Sequence, residues 1–100
     1  MLWAVLCLDR EDTAAAREEL LTIHRAYLDT QNPKIFFSGP LQSDDAGRSI
    51  GSLFVLSVRS REEAQAYIDN EPFNKAGIFA SVRIFRMRKG RFHPDLVDVA

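Results

Sequence analysis

Cysteine is almost missing from this chain: Cys7 stands alone among 100 residues. That excludes an intrachain disulfide and a cysteine metal cluster, and it fits a reducing compartment. Histidine is nearly as scarce, with only His24 and His93. Neither is accompanied by a dense acidic cluster, so no metal site of the catalytic zinc kind is expected. Charge of one sign is also lacking. Thirteen Lys and Arg stand against 14 Asp and Glu, for a net charge of −1, which gives no global field to draw nucleic acid or anionic lipid. The basic run Arg86, Arg88, Lys89, Arg91 has Phe92 and His93 beside it, but a nucleic-acid surface wants more charge and interleaved aromatics. Long apolar runs are absent too. Leu2 to Leu8 is far too short to span a bilayer, and it shows neither a basic leader nor a small-residue cleavage site. There is no glycine-rich phosphate loop. Asp44-Asp45-Ala46-Gly47 lacks the ligand spacing and closing Glu of a calcium loop. These absences predict a cytoplasmic protein that works without nucleic acid, membrane or metal.

What is present is ordinary for one small globular domain over residues 1–100: 46% apolar and 27% charged residues. A domain of this size buries its surface incompletely, so a partner subunit helps it. LWAVLCL reads as a strand buried on both faces. Asp12 or Thr13 can cap the helix that follows, and strong helix formers carry it from Thr13 to about Asp29. Asn32-Pro33 stops it. KIFFSG is a second strand, ended by Gly39-Pro40. A polar connection with two glycines leads to a third strand, Leu53 to Val58. Ser60 and Glu63 form a capping box that opens a second helix through about Asp69. Pro72 starts a short turn and Gly77 ends it; Asn70 or Glu71 would cap that turn, Asn being the better cap. Ile78 to Met87 is the fourth strand, and the tail from about 88 to 100 is polar and irregular.

The order β-α-β-β-α-β is the ferredoxin-like plan: an α+β fold with an antiparallel four-stranded sheet and both helices on one face. The other face needs a cover. In the last strand Ile78, Ala80, Val82 and Ile84 alternate with Phe79, Ser81, Arg83 and Phe85, so the set away from the helices carries two aromatic rings. At about 25 cal/mol per Å² of apolar area, a bare face costs several kcal/mol. A homodimer closing sheet against sheet covers it; the alternative is that the tail folds back over its own sheet.

On a helical wheel Ala16, Leu20, Ile23 and Tyr27 fall on one line, and Leu21 and Leu28 widen the apolar arc. Two polar residues lie within that arc, Arg17 and His24. Arg17, near the helix start, is expected to snorkel to the rim. An imidazole on a buried side needs hydrogen-bond partners; a satisfied core histidine and a chemically active one both fit the position. Cys7, mid-strand, reads as an inert core residue.

The short apolar first strand, the helix with His24, Tyr27 and Leu28, the strand with Ser38-Gly39-Pro40 and the Glu71-Pro72-Phe73 element together resemble the YCII-related family over nearly the whole chain. The resemblance implies a dimeric α+β barrel of ferredoxin-like subunits and a His–acid pair at His24 and Glu71, the acid being most often Asp in that family. It also implies cofactor-free chemistry on ring-derived small molecules, as in a dehydrochlorinase or muconolactone-isomerase-like relatives. A carboxylate on one imidazole nitrogen fixes the tautomer, and the other nitrogen can then take a proton from a substrate. Ser38, Gly39, Pro40, Phe73 and Arg83 complete the expected substrate-binding set. Gly39-Pro40 reads equally as a strand-ending turn, and Arg83 equally as interface packing. Two functions stay open: a small enzyme performing proton transfer, elimination or isomerisation, and a non-catalytic dimeric ligand-binding or stress-associated module.

Overall fold

The computed structural model describes residues 1–98. Strand β1 (Leu2–Asp9) leads into helix α1 (Ala14–Gln31), and a 3-10 turn at Asn32–Lys34 leads on to β2 (Ile35–Gln42). A hairpin joins β2 to β3 (Ser49–Ser57); helices α2 (Arg61–Asp69) and α3 (Pro72–Lys75) then precede β4 (Phe79–Met87). The sheet is antiparallel throughout its pairings, in the order β2-β3-β1-β4. This is the expected ferredoxin-like α+β arrangement, with the helices on one side.

Alternation along β1 assigns the two faces. Val5 and Cys7 face the helices, paired with Phe54 and Ser52 of β3. They join Leu56, Tyr67, Ile68 and Phe73 in one core. Leu2, Ala4, Leu6 and Leu8 point the other way, and Leu8, Phe37, Phe85 and Met87 remain exposed there. Among the described residues the tail leaves Leu8, Phe37, Phe85 and Met87 of this face at least 40% exposed. Its Phe92 packs on Phe36 with ring centroids 5.2 Å apart, and Leu96 and Val97 stay exposed. A 3-10 turn at Pro94–Asp98 interrupts the irregular tail that was expected; its last two positions, 99 and 100, lie outside the described residues.

Several expectations need correction. Strand β2 does not stop at Gly39-Pro40 but runs through both to Gln42. It is an edge strand, where the missing N–H of a proline is tolerated. In β4, Phe79 belongs to the helix face rather than the outer one and is 6% exposed. The cause is a bulge: Leu8 pairs with Ser81 but Asp9 with Phe79, so Ala80 is the extra residue and reverses the alternation. On α1, Ile23 is 57% exposed rather than buried. The helix lies with Leu20, Leu21, Tyr27 and Leu28 on the core and turns Ile23 outward. Thr13 occupies the cap position of α1 without capping it; its hydroxyl donates instead to Asp9 Oδ2 at 2.9 Å. The box at α2 closes on one side: Ser60 accepts from the Glu63 N–H, but Glu63 accepts from the Arg59 N–H, one residue early.

Candidate functional site

Helix α3 decides where the acid goes. Four residues cannot hold a helix unaided, so its ends are fixed by side chain and backbone. Pro72 pre-sets the first turn. Glu71, not Asn70, is the cap: its Oε2 accepts from the Asn74 N–H at 3.2 Å. The other oxygen, Oε1, meets Nδ1 of His24 at 2.5 Å across 47 residues of sequence. The Glu71 side chain is 0% exposed and that of His24 is 12% exposed. One carboxylate therefore anchors α3 and holds the imidazole. With Nδ1 directed at a carboxylate, the proton of a neutral ring sits on Nδ1. His24 Nε2 has no partner among the described residues. The Phe73 ring lies flat against the imidazole, with centroids 3.9 Å apart and planes 6° from parallel.

A second pair sits on the same helix face. Arg17, two turns before His24, does not snorkel out. Its side chain is 11% exposed, and it bonds to Asp9, whose side chain is 4% exposed. Nε reaches Oδ2 at 2.6 Å and Nη2 reaches Oδ1 at 2.9 Å, a bidentate fork. Nη2 also donates to the Gly51 carbonyl at 2.9 Å and to Ser52 Oγ at 3.2 Å. Gly51 is required here, because a Cβ would sit 2.3 Å from the Cys7 carbonyl oxygen. The guanidinium also faces the Phe73 ring, 4.9 Å from its centroid.

Between α1 and the β2–β3 edge opens a cleft of about 490 Å³. Its walls include His24, Phe73, Ser38, Gly39 and Pro40, which the sequence had suggested, and also Arg17, Leu21, Ser52 and Phe54. Ser38 pairs with Phe54 and Pro40 with Ser52, so both share the helix face. Glu71 stands behind His24 and does not line the cleft. Arg83 is not brought there. It pairs with Leu6 on the outer face and lies over Phe85, 4.9 Å from the ring centroid. Asp9 and Ser52 were missed from the sequence, and Arg17 was misplaced. The one available signal was a second polar residue on the apolar arc of α1.

The buried acids leave a mark on their neighbours. Burial pushes the Cys7 thiol up to about 12, helped by the negative charges of Glu71 and Asp9 and opposed by Arg17. Burial and then Glu71 raise Tyr27 and Tyr67 in the same order of importance. Among the described residues no three His, Cys, Asp or Glu side chains gather as metal ligands would, and no helix is long and apolar enough to cross a membrane.

Comparison with known proteins connects this geometry to a family. The model of the YCII-related domain matches residues 1–88. The chain belongs to the YCII-related family. Among solved structures, this YCII-related chain is similar to 5-chloro-2-hydroxyhydroquinone dehydrochlorinase from Burkholderia phenoliruptrix, determined in complex with 2,5-dihydroxybenzoquinone. The identity is 30% and the TM-score 0.82, over 90% of this chain and 96% of the relative. It is also similar to the protein At3g17210 from Arabidopsis thaliana, at 13% identity and a TM-score of 0.47, over 92% and 97% of the two chains. Among curated proteins none matches. The family and the ferredoxin-like fold of the dimeric α+β barrel class are thereby shown, and one close structural neighbour is a small-molecule enzyme.

Proposed function

We propose that this YCII-related protein is a small-molecule enzyme that moves a proton on a hydroxylated or keto ring with its own side chains. His24 Nε2 is the general base and acid, and Glu71 orients the imidazole through Nδ1. The observation that carries this reading is the 2.5 Å contact between a fully buried carboxylate and a histidine whose other nitrogen has no partner at an open cleft. In the reaction, an O–H or C–H bond of the ring breaks and its proton passes to Nε2. The electron pair left behind delocalises over the ring onto an oxygen. The proton then returns at another position, an isomerisation, or a leaving group departs with its bonding pair, an elimination. The dehydrochlorinase among the solved structures supports the second outcome. Ser38 is proposed as a further hydrogen-bond donor to the ligand, and the backbone at Gly39 and Pro40 as a wall it packs on. The working unit is proposed to be a homodimer closed across the outer sheet face, which leaves each cleft complete within one subunit.

The test is release of chloride from 5-chloro-2-hydroxyhydroquinone, alongside a panel of unchlorinated hydroxylated rings followed for isomerisation. His24→Gln is expected to lower turnover by about 10²–10⁴-fold while 2,5-dihydroxybenzoquinone still binds. Glu71→Gln keeps an oxygen to cap α3 but removes the carboxylate. It should change the His24 tautomer seen in ¹⁵N NMR and lower turnover in parallel. Rings that bind tightly and never react would make the protein a ligand-binding module instead.

A further inference from the structure

Proton removal by His24 leaves an electron pair on the ligand, and the cleft contains donors that no group among the described residues uses. Two of the three guanidinium nitrogens of Arg17 are committed: Nε to Asp9, and Nη2 to Asp9, the Gly51 carbonyl and Ser52 Oγ. Nη1, with two N–H bonds, has no partner among the described residues, although the side chain is only 11% exposed and lines the cleft. Ser52 is 4% exposed. Its oxygen accepts from Arg17, and its own hydroxyl hydrogen has no acceptor among the described residues. Both residues line the cleft, so a ligand entering it can take up these donors. The Phe73 ring supplies the scale: with 4.9 Å to the guanidinium carbon and 3.9 Å to the imidazole centroid, the two heads lie within about 9 Å of each other. That upper bound is on the scale of a small ring with an oxygen at its edge.

We propose that Arg17 Nη1 and the Ser52 hydroxyl form the oxygen-binding pocket of this cleft. They take the carbonyl, phenolate or enolate oxygen onto which charge moves as His24 Nε2 accepts the proton. No electron is gained or lost; one bond to hydrogen breaks, the N–H bond on Nε2 forms, and the displaced pair rests on the held oxygen. The arrangement suits that task because Asp9 fixes the guanidinium before the ligand arrives. Donors that need no reorganisation stabilise developing charge far better than water does. The ligand class narrows accordingly: a flat ring with an acceptor oxygen conjugated to the position that loses the proton. This assignment rests on the proton-transfer reading of His24.

The experiment separates the two. Ser52→Ala removes one donor and leaves the Arg17 contacts to Asp9 and Gly51. Arg17→Lys keeps the charge next to Asp9 but loses the planar fork. Binding of 2,5-dihydroxybenzoquinone is measured by calorimetry, turnover of the reactive ring by product analysis, and the His24 tautomer by ¹⁵N NMR. Both variants are expected to bind the quinone at least about 10-fold more weakly and to lose about 10²-fold in kcat, with the tautomer unchanged. Variants that bind and turn over like the wild type overturn the oxygen pocket and leave the His24 reading standing. Weakened binding in the variants, with no turnover in the wild type, supports the pocket and overturns the enzyme. Failure of the wild type to bind the quinone overturns the pocket. If Arg17→Lys does not fold, Ser52→Ala alone decides.

Discussion

Glu71 serves two masters with two oxygens, and Cys7 shows what the surrounding burial does to a neighbour without a partner. The thiol sits under the site, its residue wholly inaccessible to solvent, with its ionisation pushed to about 12. Below about 9, its ordinary value, the folded and unfolded chains both hold the proton and the contribution of Cys7 to stability is complete. Between about 9 and about 12 the unfolded chain releases the proton while the folded chain keeps it, so stability falls as pH rises through that window. Urea midpoints measured from about pH 8 upward should therefore decline in the wild type. They should decline less steeply between 9 and 10 in Cys7→Ala, before the raised tyrosines join in. Equal slopes would remove the buried thiol as the source. The same thiol should resist alkylation in the folded protein and react at once in denaturant. His24 was legible as an imidazole on an apolar arc, and Glu71 as a candidate cap before Pro72; their pairing was implied only by the family resemblance. Asp9 was not legible. It ends a strand where acids are common, and only the folded chain brings Arg17 back over it. The sequence presented Arg17 as a long side chain near a helix start, where reaching water is the default. The opposite outcome follows from a buried carboxylate and a free carbonyl at Gly51, neither visible in one dimension.

At the scale of elements, backbone conformation makes sharper demands than packing. Just past the Ala76 cap of helix α3, Gly77 takes φ of +77° with nothing within 4 Å of where a Cβ would be. A side chain there has room, so its whole cost is conformational. Gly77→Ala is expected to destabilise by about 1 kcal/mol, a loss of about 4–8 °C in melting temperature for a domain of this size. Ala46, in the β2–β3 hairpin, is the complementary case: a non-glycine residue at φ of +59°. Ala46→Gly should move the melting point upward, less far because glycine also loosens the unfolded chain. Thermal melts of the two single variants check both signs; a shift of the same sign in both would refute the backbone account. Order and type of the elements were readable because caps, prolines and periodicities are local. The end of β2 and the face of Phe79 were not, because each depends on a neighbour in the sheet. Pro40 is permitted only because β2 lies at an edge, and Phe79 turns inward only because Ala80 bulges against β1.

For the whole molecule the open question is the outer sheet face. It carries Leu2, Leu6 and Leu8 from β1, Leu53 and Val55 from β3, and Phe85 and Met87 from β4, and among the described residues Leu8, Phe85 and Met87 stay exposed on it. Four strands about 4.8 Å apart, of 8 or 9 residues at about 3.3 Å each, offer roughly 500–600 Å² per subunit before side-chain relief. That sits near the lower bound for a stable interface, about 1,200 Å² in total, so a homodimer through this face should hold at micromolar concentration without being inseparable. Arg83 gives a way to break it without unfolding the subunit. It faces Leu6 across the strands and covers Phe85. In Leu6→Glu the new carboxylate pairs with Arg83 inside one subunit but must be stripped of water in the dimer, where an imperfectly paired charge costs several kcal/mol. Sedimentation velocity is expected to show a dimer for the wild type and a folded monomer for Leu6→Glu. Because the cleft opens on the helix side and draws no side chain from the outer face, that monomer should still bind 2,5-dihydroxybenzoquinone. A wild type that sediments as a monomer at micromolar concentration would sink the paired-sheet unit, and a monomeric variant that no longer binds would show that the cleft depends on the second subunit after all.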